Sequence, residues 1–142
     1  MEKNATKKEN LEAIKLCGEA GIYTVIQLVI GMPGENESTI NETIDFINTA
    51  TERFTQPQFV AINYLQALPG TLCYEFLRAR SLLGSTIDEE EQYLIKVADV
   101  NASEFRQYIN VSEEALAKVK LWKAKISTLT IIYWLKRHGW KF

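Results

Sequence analysis

The sequence has few cysteines and histidines: two Cys and one His among 142 residues. The two thiols, Cys17 and Cys73, match no zinc or iron-sulfur ligand spacing. Two scattered cysteines indicate a reducing compartment, and the alternative is a single disulfide between them. The sequence also lacks a large excess of either charge, because 16 Lys and Arg residues are balanced by 18 Asp and Glu residues. The net charge of −2 gives no long-range attraction to nucleic acid or an anionic membrane, and we expect neither as a partner.

Long hydrophobic runs are missing as well. No stretch of eighteen apolar residues occurs, and residues 1–10 are rich in Lys, Glu and Asn. The sequence therefore predicts neither a membrane span nor a secretory signal, and it predicts a cytoplasmic protein. The composition, 46% hydrophobic and 24% charged, excludes disorder and suits one globular core.

Helical and strand-like patterns alternate through the first half of the chain. Residues 9–20 carry apolar positions at helical spacing, and Gly21 is placed to end that helix. Residues 22–30 and 59–66 are nearly continuous apolar runs, which predict strands buried on both faces, as in parallel sheets. A helical stripe between the two runs comprises Ile40, Ile44, Ile47, Ala50 and Phe54. The alternation predicts an α/β fold built from βαβ units.

Helices alone are predicted after the second strand. Thr71 is a suitable cap for a helix that carries Leu72, Phe76 and Leu77, and the acidic run at residues 88–91 indicates another, solvated helix start. Ser112 is predicted to begin a long helix that ends near residue 137. Its apolar face comprises Leu116, Val119, Trp122, Ile126, Leu129 and Tyr133. Residues 126–135 are apolar on more than one side, so we expect this helix to pack against more than the preceding chain provides.

Two Pro-Gly turns follow the predicted strands, at residues 31–35 (Gly-Met-Pro-Gly-Glu) and 67–71 (Ala-Leu-Pro-Gly-Thr). Each turn lies at the carboxyl end of a parallel strand and leads into a helix, which is where parallel sheets bind ligands. The alternative is that both are simply tight turns.

Three amides, Gln27, Asn63 and Gln66, interrupt the predicted strands. A buried amide without a partner costs about 1–3 kcal/mol, so these side chains either line a polar cavity or hydrogen-bond neighbouring backbone. Both interpretations stay open at this point.

Residues 12–35, ending in Gly-Met-Pro-Gly-Glu and followed by Thr39-Ile40 and Thr43-Ile44, resemble the second half of a radical S-adenosylmethionine (radical SAM) barrel. The turn at residues 67–71 adds to the likeness, because the sixth strand of such enzymes often ends in a Pro-Gly-Thr-like turn, with Asn or Tyr inside the strand. Among subfamilies, the likeness is greatest to the cobalamin-binding type that includes anaerobic magnesium-protoporphyrin IX monomethyl ester cyclases.

The resemblance implies a partial parallel (β/α) barrel over residues 1–84, followed by a helical C-terminal extension over residues 85–142. It implies S-adenosylmethionine, a [4Fe–4S] cluster and cobalamin as cofactors of the intact parent. Val29, Gly31 and the turn at residues 68–70 would approach the adenosine, and Gln27 and Asn63 would face the barrel interior. The implied cofactor-binding residues are Gln27, Val29, Gly31, Pro33, Gly34, Glu35, Asn63, Gln66, Leu68, Pro69 and Gly70.

The three-cysteine motif of this family is missing, and two cysteines cannot supply the three thiolates of the cluster. We therefore expect a catalytically inactive fragment whose partners are the missing N-terminal half of its own barrel and the parent's small-molecule substrate. Two parallel strands leave both sheet edges unpaired, which predicts self-association. One alternative is a stand-alone α/β module that uses residues 31–35 as an anion or nucleotide cradle, and another is a helical interaction protein built on residues 112–137.

Overall fold

The computed structural model describes residues 4–52, 59–99 and 104–139. Within these ranges the chain forms a two-stranded parallel sheet, β1 (Val25–Ile30) and β2 (Phe59–Tyr64), and six helices. The helices are α1 (Lys7–Glu19), α2 (Glu37–Ala50), α3 (Leu72–Ala79), α4 (Ile87–Ala98), α5 (Glu104–Gln107) and α6 (Leu116–His138). None of the helices described has the length and apolarity needed to cross a bilayer. The predicted α/β class is confirmed.

The two strands pair in parallel, in a register that runs from Val25 opposite Phe59 to Ile30 opposite Tyr64. The Leu65 amide extends the pairing by donating to the Ile30 carbonyl oxygen at 2.8 Å. The prediction that these two segments lie side by side in one direction is therefore confirmed. The first strand begins at Val25 rather than at residue 22, because the chain first turns at Gly21, whose φ is +70°.

One face of the sheet is covered by α2 and α6. This core contains the most deeply buried side chains of both helices. Its buried members are Ile30, Ile40, Ile44, Ile47, Ile62, Tyr64, Tyr108, Val119, Trp122 and Ile126. Phe54, which was predicted to continue the α2 stripe, lies outside the described residues.

The prediction that the first strand is buried on both faces is wrong. Val25 and Val29 retain 42% and 39% of their accessible surface, and Gln27 between them is exposed. The physical reason is that α2 and α6 pack on the face that carries Ile26 and Ile30, and the described chain places no layer over the opposite face. Side chains alternate along a strand, so every second residue of β1 is left uncovered.

Polar contacts fix α6 against α2 around this core. The Glu37 carboxylate at the start of α2 accepts a hydrogen bond from Trp122 Nε1 at 3.0 Å and another from Lys125 Nζ. The hydrogen bond from Lys125 is the main reason that the pKa of Glu37 is lowered. At the other end of the pair, Arg137 donates to the carbonyl oxygen of Asn48 at 3.2 Å and to its side-chain oxygen at 2.7 Å.

A second cluster joins α3 to α4. Its buried members are Ala67, Tyr74, Leu77, Leu83 and Tyr93. The Tyr74 hydroxyl donates to the Glu90 carboxylate, and this contact raises the pKa of Tyr74 to about 12. Helix α3 carries Leu72, Phe76 and Leu77 as predicted, but Leu72 is 88% exposed, because Tyr74 and Leu77 supply the face that packs.

Helices α2, α3 and α4 each begin at a residue whose side chain caps the first turn. Asn36 accepts from Ser38 N at 2.9 Å, and Thr71 accepts from Tyr74 N at 3.2 Å. Thr86 caps α4, so the acidic run does open a helix as predicted. The predicted start of the last helix at Ser112 is wrong: α6 begins at Leu116, since the Ser112 hydroxyl donates to Asn110 Oδ1 at 2.7 Å instead of capping a turn.

We expect Ile47→Ala to lower the free energy of unfolding by about 2–5 kcal/mol, because it opens a cavity between α2 and the sheet. Ile47 is fully buried in the shared core. The exposed Ile95 on α4 provides the matched control, for which Ile95→Ala should change the value by about 0.5 kcal/mol or less. Urea unfolding followed by circular dichroism measures both, and equal losses in the two variants would contradict the core assignment.

Candidate functional site

The candidate site lies where the two strands end. Because Ile30 and Tyr64 are paired, the turns that follow them leave the sheet at the same edge. Beside these turns lies the uncovered side of the sheet, which we call the open face. It comprises Val25, Gln27, Val29, Ala61 and Asn63. Neighbouring strands lie about 4.8 Å apart, so Val29 and Asn63, which are paired, are direct neighbours on this face.

The first turn, residues 31–35, is closed by its own carboxylate. Glu35 Oε2 accepts from the amides of Gly31 at 2.5 Å and Met32 at 3.1 Å. Burial is the largest influence on this carboxyl group and raises the pKa of Glu35, while the two amides act in the opposite direction. The Gly31 and Met32 amides are thus occupied from within the chain, and an anion bound at this turn would have to displace Glu35.

Gly31 requires glycine for two reasons. Its φ is +85°, and a Cβ built there would lie 2.5–2.6 Å from ring atoms of Tyr108. The Tyr108 hydroxyl also lies within hydrogen-bonding distance of the Gly31 carbonyl oxygen, at 3.1 Å, and of Asn110 Oδ1, at 3.0 Å. Burial raises the pKa of Tyr108, which keeps the hydroxyl protonated as a donor. Tyr108 therefore fixes the position of the first turn.

A second tyrosine holds the other turn. The Tyr93 hydroxyl accepts from the Ala67 amide at 3.1 Å and donates to the Ala67 carbonyl oxygen at 2.9 Å. Both residues are buried, and burial raises the pKa of Tyr93. Beyond this anchor, Leu68, Pro69 and Gly70 are exposed, with Gly70 at a φ of +82°.

Gln66 is tied to the segment after α4. Its Nε2 donates to Oε1 of the buried Gln107, whose own Nε2 donates to the carbonyl oxygens of Lys96 at 2.8 Å and Asp99 at 3.0 Å. Of the three amides singled out from the sequence, Gln66 is therefore engaged in a structural network. Gln27 and Asn63 instead share the open face.

The structure places the eleven predicted cofactor-binding residues in two groups. Gln27, Val29 and Asn63 lie on the open face, and the others lie in the two turns or, in the case of Gln66, in the short segment between the second strand and its turn. Within the first turn, Pro33 and Gly34 are exposed, whereas Gly31 is buried and Glu35 binds backbone. Direct contact between any of these residues and a cofactor stays a prediction.

Sequence reasoning missed three residues that position the site: Tyr93, Gln107 and Tyr108. They reach the turns from 26 to 77 positions further along the chain. Tyr108 and Gln107 stand at the junction of a four-residue helix and a loop, where no periodic pattern marks them.

The residues present suit the nucleoside part of S-adenosylmethionine better than a metal cluster. The open face combines an apolar side chain, Val29, with the amides of Gln27 and Asn63, and amides can both donate and accept hydrogen bonds. A site-differentiated [4Fe–4S] cluster needs three thiolates, and the chain has only Cys17 and Cys73, both free and half-buried. Among the residues that the structure describes, no group of three or more His, Cys, Asp or Glu side chains could hold a metal ion. The cluster therefore does not fit this chain.

A scan against protein-family models, a search of curated proteins and a search of solved structures each returned no match for this chain. The likeness to radical SAM enzymes accordingly rests on the residues of the chain itself.

Substitution of two glycines in the same turn separates backbone strain from steric conflict. Gly34 has a φ of +78° with nothing within 4 Å of its built Cβ, so we expect Gly34→Ala to cost about 1–2 kcal/mol of stability. Gly31→Ala adds the overlap with Tyr108 and should cost about 1–3 kcal/mol more. Chemical denaturation of both variants measures the difference in the free energy of unfolding. Equal losses in the two variants would show that Tyr108 does not pack against Gly31.

We expect Tyr93→Phe to destabilise the protein by about 1–3 kcal/mol, because the buried Ala67 amide and carbonyl both lose a partner. Tyr23 is 66% exposed and provides the matched control, for which Tyr23→Phe should be close to neutral. Thermal and urea unfolding test this pair. A neutral Tyr93→Phe variant would mean that the second turn is held in another way.

Proposed function

We propose that this chain is the carboxyl-terminal part of a radical SAM barrel, and that its open face forms part of the wall of the cavity for S-adenosylmethionine and substrate. The observation that carries the proposal is the one-sided covering of the parallel sheet. In a (β/α) barrel, helices cover the outside, the inner strand faces line the interior, and function lies at the carboxyl ends of the strands. The positions of α2, α6 and the open face agree with this arrangement.

In this proposal three residues of the open face contact the ligand. Val29 offers an apolar contact to the adenine ring, and Gln27 and Asn63 hydrogen-bond the polar groups of the nucleoside or substrate. The exposed turn at residues 68–70 approaches the same ligand from the second strand. Bound S-adenosylmethionine supplies radical chemistry in such enzymes, whereas the chain orients and shields it.

In this proposal, other parts of the enzyme bind the iron-sulfur cluster and cobalamin. The cluster thiolates belong to the N-terminal half of the barrel, which would pair with the outer edges of β1 and β2, and cobalamin, where it is used, belongs to a separate amino-terminal domain. The proposal places the parent in the cytoplasm and, through its nearest subfamily, in tetrapyrrole metabolism of the magnesium-protoporphyrin monomethyl ester cyclase type. An isolated chain would bind S-adenosylmethionine weakly and catalyse nothing.

The stand-alone anion-binding module gains no support from the first turn. Its Gly31 and Met32 amides already bind the Glu35 carboxylate, and the helix that follows is capped by Asn36.

Titration of the isotope-labelled full chain with S-adenosylmethionine, followed by amide chemical shifts, tests the proposal. We expect weak, saturable shifts that cluster at residues 27–31, at Asn63 and at residues 66–70. Gln27→Leu should reduce these shifts, whereas Gln92→Leu, which replaces another exposed glutamine on α4, should leave them unchanged. ATP provides the comparison ligand.

Two outcomes of this titration would contradict the proposal. One is the absence of any shift with S-adenosylmethionine at concentrations well above those at which weak complexes saturate. The other is a shift pattern centred on residues 31–35 that ATP reproduces at higher affinity, which would favour the anion-binding module instead.

A further inference from the structure

We propose that the outer face of α6 is a self-association surface through which two copies of the chain pair as antiparallel helices. This face, the outer stripe, consists of Ala117, Leu121, Ala124, Thr128, Ile131 and Leu135. These residues are alternately four and three positions apart, which is the seam spacing of paired helices. The inference does not depend on the proposed function.

The outer stripe lies opposite the side of α6 that packs in the core. Val119 and Trp122 are buried, whereas Leu121, two positions from Val119, is 67% exposed. Two residues along a helix correspond to about 200° of rotation, so the stripe points away from α2 and the sheet. Ile131 is 58% exposed on the same side. A mainly apolar seam of about 27 Å therefore runs from residue 117 to residue 135, exposed at Ala117, Leu121, Ala124, Thr128 and Ile131 and half-buried at Leu135.

The order of residues along the stripe makes it complementary to itself in the antiparallel direction. When Leu121 lies opposite Ile131 of a second copy, Ala124 lies opposite Thr128, and Ala117 lies opposite Leu135. Small residues at the centre permit close approach of the two helices, and the larger pairs flank them on both sides. One surface thus meets its own copy, as a twofold dimer requires.

The distribution of charge along α6 also favours the antiparallel arrangement. Helix α6 has no acidic residue, and four lysines lie in its first ten residues, whereas residues 126–135 carry no charge. In a parallel pair the lysine-rich halves would lie side by side and repel each other. In the antiparallel pair each lysine-rich half lies along the uncharged half of its partner, and the helix dipoles are opposed favourably.

The lysines give little reason to prefer an anionic partner. Lys118 pairs with Glu114 at 2.8 Å, and Lys125 is bound by Glu37, so two of the four lysines in the first ten residues of α6 are already paired within the chain. A second copy of this chain therefore suits the stripe better than an anionic membrane or an acidic helix.

Sedimentation equilibrium of the full chain tests the surface. We expect the wild type to show a concentration-dependent dimer, and a variant that combines Leu121→Lys with Ile131→Lys to remain monomeric. Ile95→Lys on α4 is the matched control, since Ile95 is 54% exposed and lies off the stripe, and it should dimerise like the wild type. Circular dichroism and urea unfolding of the dilute variants verify that they fold.

A wild type that stays monomeric at every concentration would overturn the proposal. So would a double variant that dimerises as strongly as the wild type, because association would then use the sheet edges. Binding of a monomeric wild type to phosphatidylserine vesicles would assign the stripe to a lipid surface and also overturn it.

Disulfide cross-linking tests the helix direction, in a background in which Cys17→Ser and Cys73→Ser remove the native thiols. We expect a mixture of the Ala124→Cys and Thr128→Cys chains to cross-link to each other under mild oxidation, since only facing positions come within the Cα separation of about 4.4–6.8 Å that a disulfide allows. Each variant alone should cross-link poorly. Efficient cross-linking of either variant with itself would indicate a parallel pair and overturn the antiparallel arrangement.

Discussion

The structure depends on the packing of α2 and α6 against a single face of a two-stranded parallel sheet. Ile40 and Ile47 from α2 and Val119 and Ile126 from α6 are all fully buried there. Burial of such side chains contributes about 1.5–3 kcal/mol each. Because the covering is one-sided, the opposite face of the sheet is left for another purpose.

The later part of the chain hydrogen-bonds to the carboxyl edge of the sheet and fixes the two turns there. Tyr93 and Tyr108 each bind backbone of one turn, and Gln107 binds the Gln66 side chain between them. Glu35, Asn36 and Thr71 satisfy local amides at the same edge. Backbone donors are thus largely used within the protein, so recognition at this edge has to rely on side chains of the open face and on the exposed parts of the turns.

The features that could be predicted from the sequence are those set by local pattern. The two strands, their parallel direction, the cap at Thr71 and the left-handed Gly21 follow from residue type and spacing. The burial of β1 could not be predicted in the same way, because Val25 and Val29 are as apolar as the buried Ile26 and Ile30. Composition does not reveal whether a second layer exists to cover them.

Contacts made by loop residues, some of them local and some long-range, could not be predicted either. Ser112 has the residue type and the acidic neighbours of a helix start, but its hydroxyl binds Asn110, which in turn donates to the Glu114 carbonyl oxygen at 2.8 Å. The contact between Tyr108 and Gly31 joins residues that are 77 positions apart. The glycine at position 31 signals only that something approaches closely, and the fold determines what that is.

The open face and the outer stripe lie on opposite sides of the molecule. The open face is on the side of the sheet away from α2 and α6, and the outer stripe is on the side of α6 away from the sheet. A partner on one surface therefore does not obstruct the other. Pairing through α6 would leave both carboxyl-edge turns and the amides of Gln27 and Asn63 accessible, so that a dimer could still present two complete open faces to the rest of a barrel or to a ligand.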